Sequence, residues 1–147
     1  MTMVEESVEV GAPVPVVFGR WTRFEEFPLF VRGVLQVDRP EPDLTRWTVR
    51  AGGSTREFDA RITELIPDER VAWASVAGDL RQAGVVTFHQ LEDDRTRLML
   101  QLYVEPHGLV DRVGDVLGFV HRRALDGLAD FKAFVEAGAA AGPAAAP

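Results

Sequence analysis

Thr45-Arg46-Trp47-Thr48-Val49-Arg50-Ala51 is the stretch from which the fold class is read. Trp47, Val49 and Ala51 alternate with Arg46, Thr48 and Arg50, the period of a strand with one buried and one wet face. Gly52-Gly53-Ser54 follows as a turn signal, and the alternation then resumes. Over Arg56 to Ile66, Phe58, Ala60 and Ile62 lie opposite Glu57, Asp59 and Arg61.

The same period extends outward in both directions. Pro67-Asp68-Glu69 turns the chain into Arg70 to Val76, with Val71, Trp73 and Ser75 on one side. Gln82 to Leu91 carries Gly84, Val86 and Phe88. After Glu92-Asp93-Asp94, Arg97 to Val104 sets Leu98, Leu100, Leu102 and Val104 against Arg97, Met99, Gln101 and Tyr103. Upstream, Val34 to Arg39 makes a further run. Six consecutive strands joined by short turns predict an antiparallel meander. Its apolar face, with Trp47, Phe58, Trp73 and Phe88, needs a cover.

Leu109 to Glu136 is that cover. Val113, Val116, Leu117, Val120, Ala124, Leu128, Phe131 and Val135 recur at helical spacing, over a length of roughly 40 Å. Before the meander, Met3 to Val10 alternates as a seventh strand. Pro13 to Thr22 and Phe24 to Val31 read as two short helical pieces, the second interrupted by Pro28. The expectation is an α+β fold. One domain occupies residues 1–136, and 137–147 form an Ala/Gly/Pro-rich tail expected to be disordered.

Composition narrows the function classes. The 147 residues fit one domain, and 46% hydrophobic content excludes an intrinsically disordered chain. A net charge of −7 argues against a nucleic-acid partner, which needs a basic face. Cysteine is absent, so neither a disulfide framework nor a thiol nucleophile is available. No run approaches about 18 apolar residues, so no membrane span is expected. Met1 to Val10 does not read as a signal peptide, and the expected location is cytoplasmic.

Three stretches resemble the SRPBCC (START-like, helix-grip) superfamily, in particular its polyketide cyclase/dehydrase branch. The first is Trp21 to Val34, with Phe27-Pro28 followed by Gly33-Val34. The second is Arg70-Val71-Ala72-Trp73-Ala74-Ser75 with Gly84-Val85-Val86-Thr87-Phe88 and Leu91. The third is Glu105-Pro106-His107-Gly108, leading into the long helix. The resemblance covers Val4 to about Glu136. It implies a curved sheet of about seven strands wrapped around the C-terminal helix, with a cavity between them for a small hydrophobic or aromatic ligand. It implies either cyclisation and dehydration of an aromatic polyketide or non-catalytic carriage of a lipid or quinone, as in coenzyme-Q-binding relatives. A partner-binding module is a third reading. No cofactor is implied, and the oligomer is a monomer or a homodimer.

The candidate ligand-binding residues are Trp47, Phe58, Trp73, Ser75, Phe88, Gln90, Leu100, Leu117 and His121. Aromatic rings on the inward face suit a flat ligand, and the same residues suit a packed core. A cyclase must fold a reactive chain, take an α-proton and stabilise an enolate. Ser75, Gln90, Arg81, Tyr103 and His121 are the polar candidates. Alternation turns Tyr103 outward. His121, one residue off the Leu117/Val120/Ala124 stripe, is a base at the cavity edge or a helix-flank residue. The scattered histidines His89, His107 and His121 predict no metal site. Gly114 and Gly118 share a helix face and either thin the helix for a ligand or allow close packing.

Overall fold

A computed structural model describes residues 2–51, 53–78, 81–105 and 113–140; the side chains of 2, 51, 105, 113–120 and 139–140 are outside the description. The chain runs β1 (Thr2–Val10), α1 (Val14–Trp21), a 3-10 helix (Phe24–Leu29), β2 (Val34–Glu41), β3 (Leu44–Ala51), β4 (Ser54–Ile66), β5 (Arg70–Gly78), β6 (Arg81–Glu92), β7 (Arg95–Glu105) and α2 (Val113–Ala140). The seven strands form one curved, unclosed antiparallel sheet in the order β1-β7-β6-β5-β4-β3-β2. The six-strand meander read from the sequence is therefore present, and β1 joins its far edge by pairing with β7.

Local chemistry explains the boundaries. Pro13 caps α1, where a missing N–H costs nothing. Thr22 closes α1, its Oγ1 donating to the Phe18 carbonyl at 3.0 Å. Pro28 sits inside the 3-10 helix, which is too short to lose much to it. The alanines after Glu136 are strong helix formers, and α2 continues through Ala140, four residues into the stretch expected to be tail. Residues 141–147, and 106–112 where the helix was expected to begin, lie outside the described residues.

Curvature has identifiable sources. The register shifts between Asp59/Ala60 and Ile62/Glu64 on the β4–β5 ladder, leaving Val76 and Thr63 as extra residues. Further irregularities leave Leu35 extra on β2 and Leu91 extra on β6. Such bulges bend and twist a strand. They also turn the extra side chain out of the alternation, which accounts for three exposed apolar residues: Leu35, Val76 and Leu91.

One stripe of α2 seals the sheet. Ala124, Leu128, Phe131 and Val135 are all buried, and Phe131 packs edge-on against Trp21 of α1 at 5.0 Å. Polar clasps fix the helix on both sides of this stripe. Near its C-terminus, Lys132 Nζ donates to the Glu9 carbonyl at 2.7 Å and to Glu136 Oε2 at 2.6 Å, and Glu136 accepts the Gly11 N–H at 2.8 Å. Further up, Arg123 donates to the carbonyls of Arg32 and Arg50 at 3.1 and 2.8 Å, while Arg32 reaches back to Asp130 at 3.1 Å.

Two predictions follow from the clasps. Gly33 has φ +90, and a Cβ there would lie 2.0 Å from Arg123 Nη1. Gly33→Ala should therefore cost about 1–2 kcal/mol from backbone strain, with the Arg123 guanidinium displaced. Urea unfolding of the variant measures it, and an unchanged midpoint would refute the clasp. Glu136 is held below the ordinary carboxylate range first by the Lys132 hydrogen bond and then by the Gly11 N–H. A lowered folded pKa contributes stability above the unfolded value, about 4.3, and loses it as pH falls through the folded value. The difference in unfolding midpoint between the wild type and Glu136→Gln should thus shrink as pH is lowered through that window.

Candidate ligand-binding site

Strand register arranges the inner face of the sheet in rows. Phe88, Leu98 and Val8 form one row, and Val71, Val86, Leu100 and Glu6 the next. Ile62, Trp73, Gly84, Leu102 and Val4 form a third. Beyond it lie Ser75, Gln82 and Val104. Burial falls along this order. Leu98, Val71 and Val86 are fully enclosed, whereas Ile62, Trp73, Leu102, Ser75, Gln82 and Val104 are only half-buried. The inner face is thus packed solid at the α1 end and, Val4 and Gly84 apart, more open in the rows beyond.

Burial also varies among the described side chains of α2. Val135, Phe131, Leu128 and Ala124 are covered, but His121, next along the same face, has 48% of its side chain exposed. At about 100° per residue His121 lies only about 20° from Leu128 around the helix, so it continues the core stripe instead of flanking it. Its Nε2 meets Glu6 Oε2 of β1. Glu6 alternates with Val4, Val8 and Val10 and so faces inward.

Trp73 is the broadest group on the open half. Its indole lies flat against Gly84 of β6, so close that a Cβ on Gly84 would sit 2.4 Å from Trp73 Cζ2. Glycine here lets a large ring lie down on the neighbouring strand. Ser75 is beside it, its Oγ accepting the Gln82 N–H at 3.0 Å, which leaves the Ser75 hydroxyl proton able to donate.

The other sequence candidates are spread around this centre. Trp47 and Phe58 stack across β3 and β4 at 6.2 Å, and Trp47 joins Phe24 and Phe27 of the 3-10 helix. Trp47 Nε1 donates to Thr45 Oγ1 at 2.7 Å, and Thr45 donates to the Ala60 carbonyl at 3.0 Å. These rings wall one side of the inner face. Phe88 belongs to the solid end, edge-on to Phe18 of α1 at 5.3 Å. Leu100 is buried beside Val86 and Glu6. Gln90 is exposed near the β6–β7 turn, although Thr96, its partner on β7, is fully buried. Tyr103 lies on the face opposite Leu102. Leu117, Gly114 and Gly118 are on α2 in the part whose side chains are outside the description, and His107 lies outside the described residues. Gln82 and Glu6 were not singled out from sequence, although both share the parity of inward neighbours.

Comparison with known proteins agrees with this architecture. The family model "Polyketide cyclase / dehydrase and lipid transport" matches residues 10–133. An uncharacterized 17.2 kDa protein of Streptomyces lincolnensis is 51% identical over 136 residues, covering 92% of this chain and 91% of that one. The ZhuI aromatase/cyclase of Streptomyces sp. R1128 superposes with a TM-score of 0.84 at 19% identity, covering 96% and 98% of the two chains. A START superfamily protein from Mycobacterium smegmatis superposes with a TM-score of 0.77 at 19% identity, covering 92% and 97%. Grip-like sheet, covering helix and family match lead to one conclusion: the chain belongs to the polyketide cyclase/dehydrase and lipid transport family.

Proposed function

We propose that the open half of the inner face takes up a flat hydrophobic molecule of the aromatic-polyketide type and holds it for cyclisation or dehydration. The observation that carries this reading is Trp73 spread on Gly84 beside Ser75: a broad apolar plate with a hydroxyl donor at its rim. Burying one face of a polycyclic ligand on an indole yields area and stacking together. The Ser75 hydroxyl can hold a ligand carbonyl, which orients the chain. The family description and the resemblance to a protein named aromatase/cyclase support the same class.

Carriage of a lipid or quinone is the second reading. It is favoured by Ile62, Leu102 and Val104, which make most of the described open rows apolar. Native mass spectrometry of the protein purified from its own host separates the two. A co-purifying aromatic polyketide supports cyclase chemistry, and a quinone or lipid supports carriage.

Two variants test the site itself. Trp73→Ala should weaken binding of the co-purified molecule about 10- to 100-fold, the loss expected for one large apolar contact. Equal binding would remove Trp73 from the site. Gly84→Ala should cost about 1–3 kcal/mol by forcing the indole off β6. The same change in a Trp73→Ala background should cost much less, because the clash is then gone. Denaturant unfolding of the four proteins in this cycle gives the coupling directly.

A further inference from the structure

We infer that Glu6 and His121 form a proton-transfer pair at the boundary between the solid and open halves of the inner face, with His121 as the base and Glu6 as its positioning residue. The inference rests on the cyclase reading of the site and adds the group that moves the proton. Its evidence is placement. On α2, His121 lies on the same face as the buried Ala124 and Leu128. The buried strand row Val71, Val86 and Leu100 ends on Glu6. Where α2 packs on β1, Glu6 meets His121. A row of apolar neighbours is an expensive place for a carboxylate unless it has a partner.

The contact fixes the tautomer. Glu6 is an acceptor when ionised, so the shared proton sits on His121 Nε2 and the lone pair is left on Nδ1. The His121 side chain is half-exposed, and it is Nδ1 that is to meet the substrate. The carboxylate then stabilises the imidazolium that forms when Nδ1 takes a proton.

The step balances without any further reactant. The substrate is a chain whose active methylene lies between two carbonyls and faces a third. His121 Nδ1 takes the methylene proton, and the C–H electron pair passes into the enolate. The enolate carbon attacks the third carbonyl, forming one C–C bond, and the C=O π pair becomes an alkoxide. The imidazolium returns its proton to that alkoxide. Loss of one water from the aldol gives the aromatic ring, with no net oxidation or reduction.

The test uses the full chain and a defined probe: an aryl β-diketone carrying an acetonyl arm ortho to it. Its cyclisation and loss of one water yield an acetyl-methyl-naphthol, followed by absorbance. Binding is read separately from tryptophan quenching by the naphthol product. His121→Ala and Glu6→Gln should each lower kcat about 100-fold, with KM and product affinity held within about twofold. The double variant should be no slower than either single, because the pair acts as a unit. Glu5→Gln, on the opposite face and bonded to Gln101, should leave the rate unchanged. Product binding by the wild type without rate above background would overturn the pair while leaving the ligand site intact. No product binding would overturn the site reading and the pair with it. A rate loss in Glu6→Gln matched by an equal loss of product affinity or of urea stability would reduce Glu6 to a structural residue and overturn its role.

Discussion

The seating of Phe131 is the contact on which the remaining structure depends. Fully buried, it reaches from α2 to Trp21 of α1 and to Phe30 just after the 3-10 helix. Three segments that are separate in sequence thus share one ring. Removing such a side chain from a core costs about 3–5 kcal/mol, a large part of the stability of a domain this size. The polar clasps contribute direction more than energy. Most of their side chains are exposed, and exposed ion pairs are worth little. They do select one angle for α2, because Lys132 and Glu136 hold it at Glu9 and Gly11 while Arg123 holds it at Arg32 and Arg50.

That angle decides where the interior is solid. Toward Gly11 the helix and sheet share a dense core, while Ile62, Trp73 and Leu102 of the central strands are only half-buried. The bulges at Thr63 and Val76 act in the same direction, bending β4 and β5 where Trp73 and Ser75 stand. A flat sheet would meet the helix along its whole length and leave no room. A bent one meets it along part of its length, which leaves the inner rows covered to different depths.

The strands, the two short helices and the covering helix were legible in the sequence because each carries a strong period and is bounded by Pro, Gly or acidic turns. The alternation also placed Trp73 and Ser75 on one face. It failed to distinguish depth. Phe88 and Trp73 have the same parity, yet one packs on Phe18 and the other lies on Gly84. Nothing in a period of two says where along a strand the helix stops touching it. Gln90 and Gln82 illustrate this best, being equally inward by parity at opposite ends of β6. The bulges are similarly silent, since an extra Val76 or Leu91 reads as one more apolar residue.

Glu6, not singled out from the sequence, breaks the apolar pattern of its inward neighbours. Among Val4, Val8 and Val10, an apolar side chain would serve the core better, and a lone carboxylate would incur desolvation without return. The position is tolerable only if the element packed across it supplies a donor. Lys132 and Arg123 on α2 are engaged with Glu9, Glu136, Arg32 and Arg50 at other levels of the helix. His121 is the group that meets Glu6, and it is the one side chain type whose ordinary pKa lies near neutrality. An arginine there would make a permanent ion pair, strong and inert to proton transfer. A histidine makes a partner that can exist in both protonation states, so the local departure from core patterning is economical as chemistry and wasteful as packing.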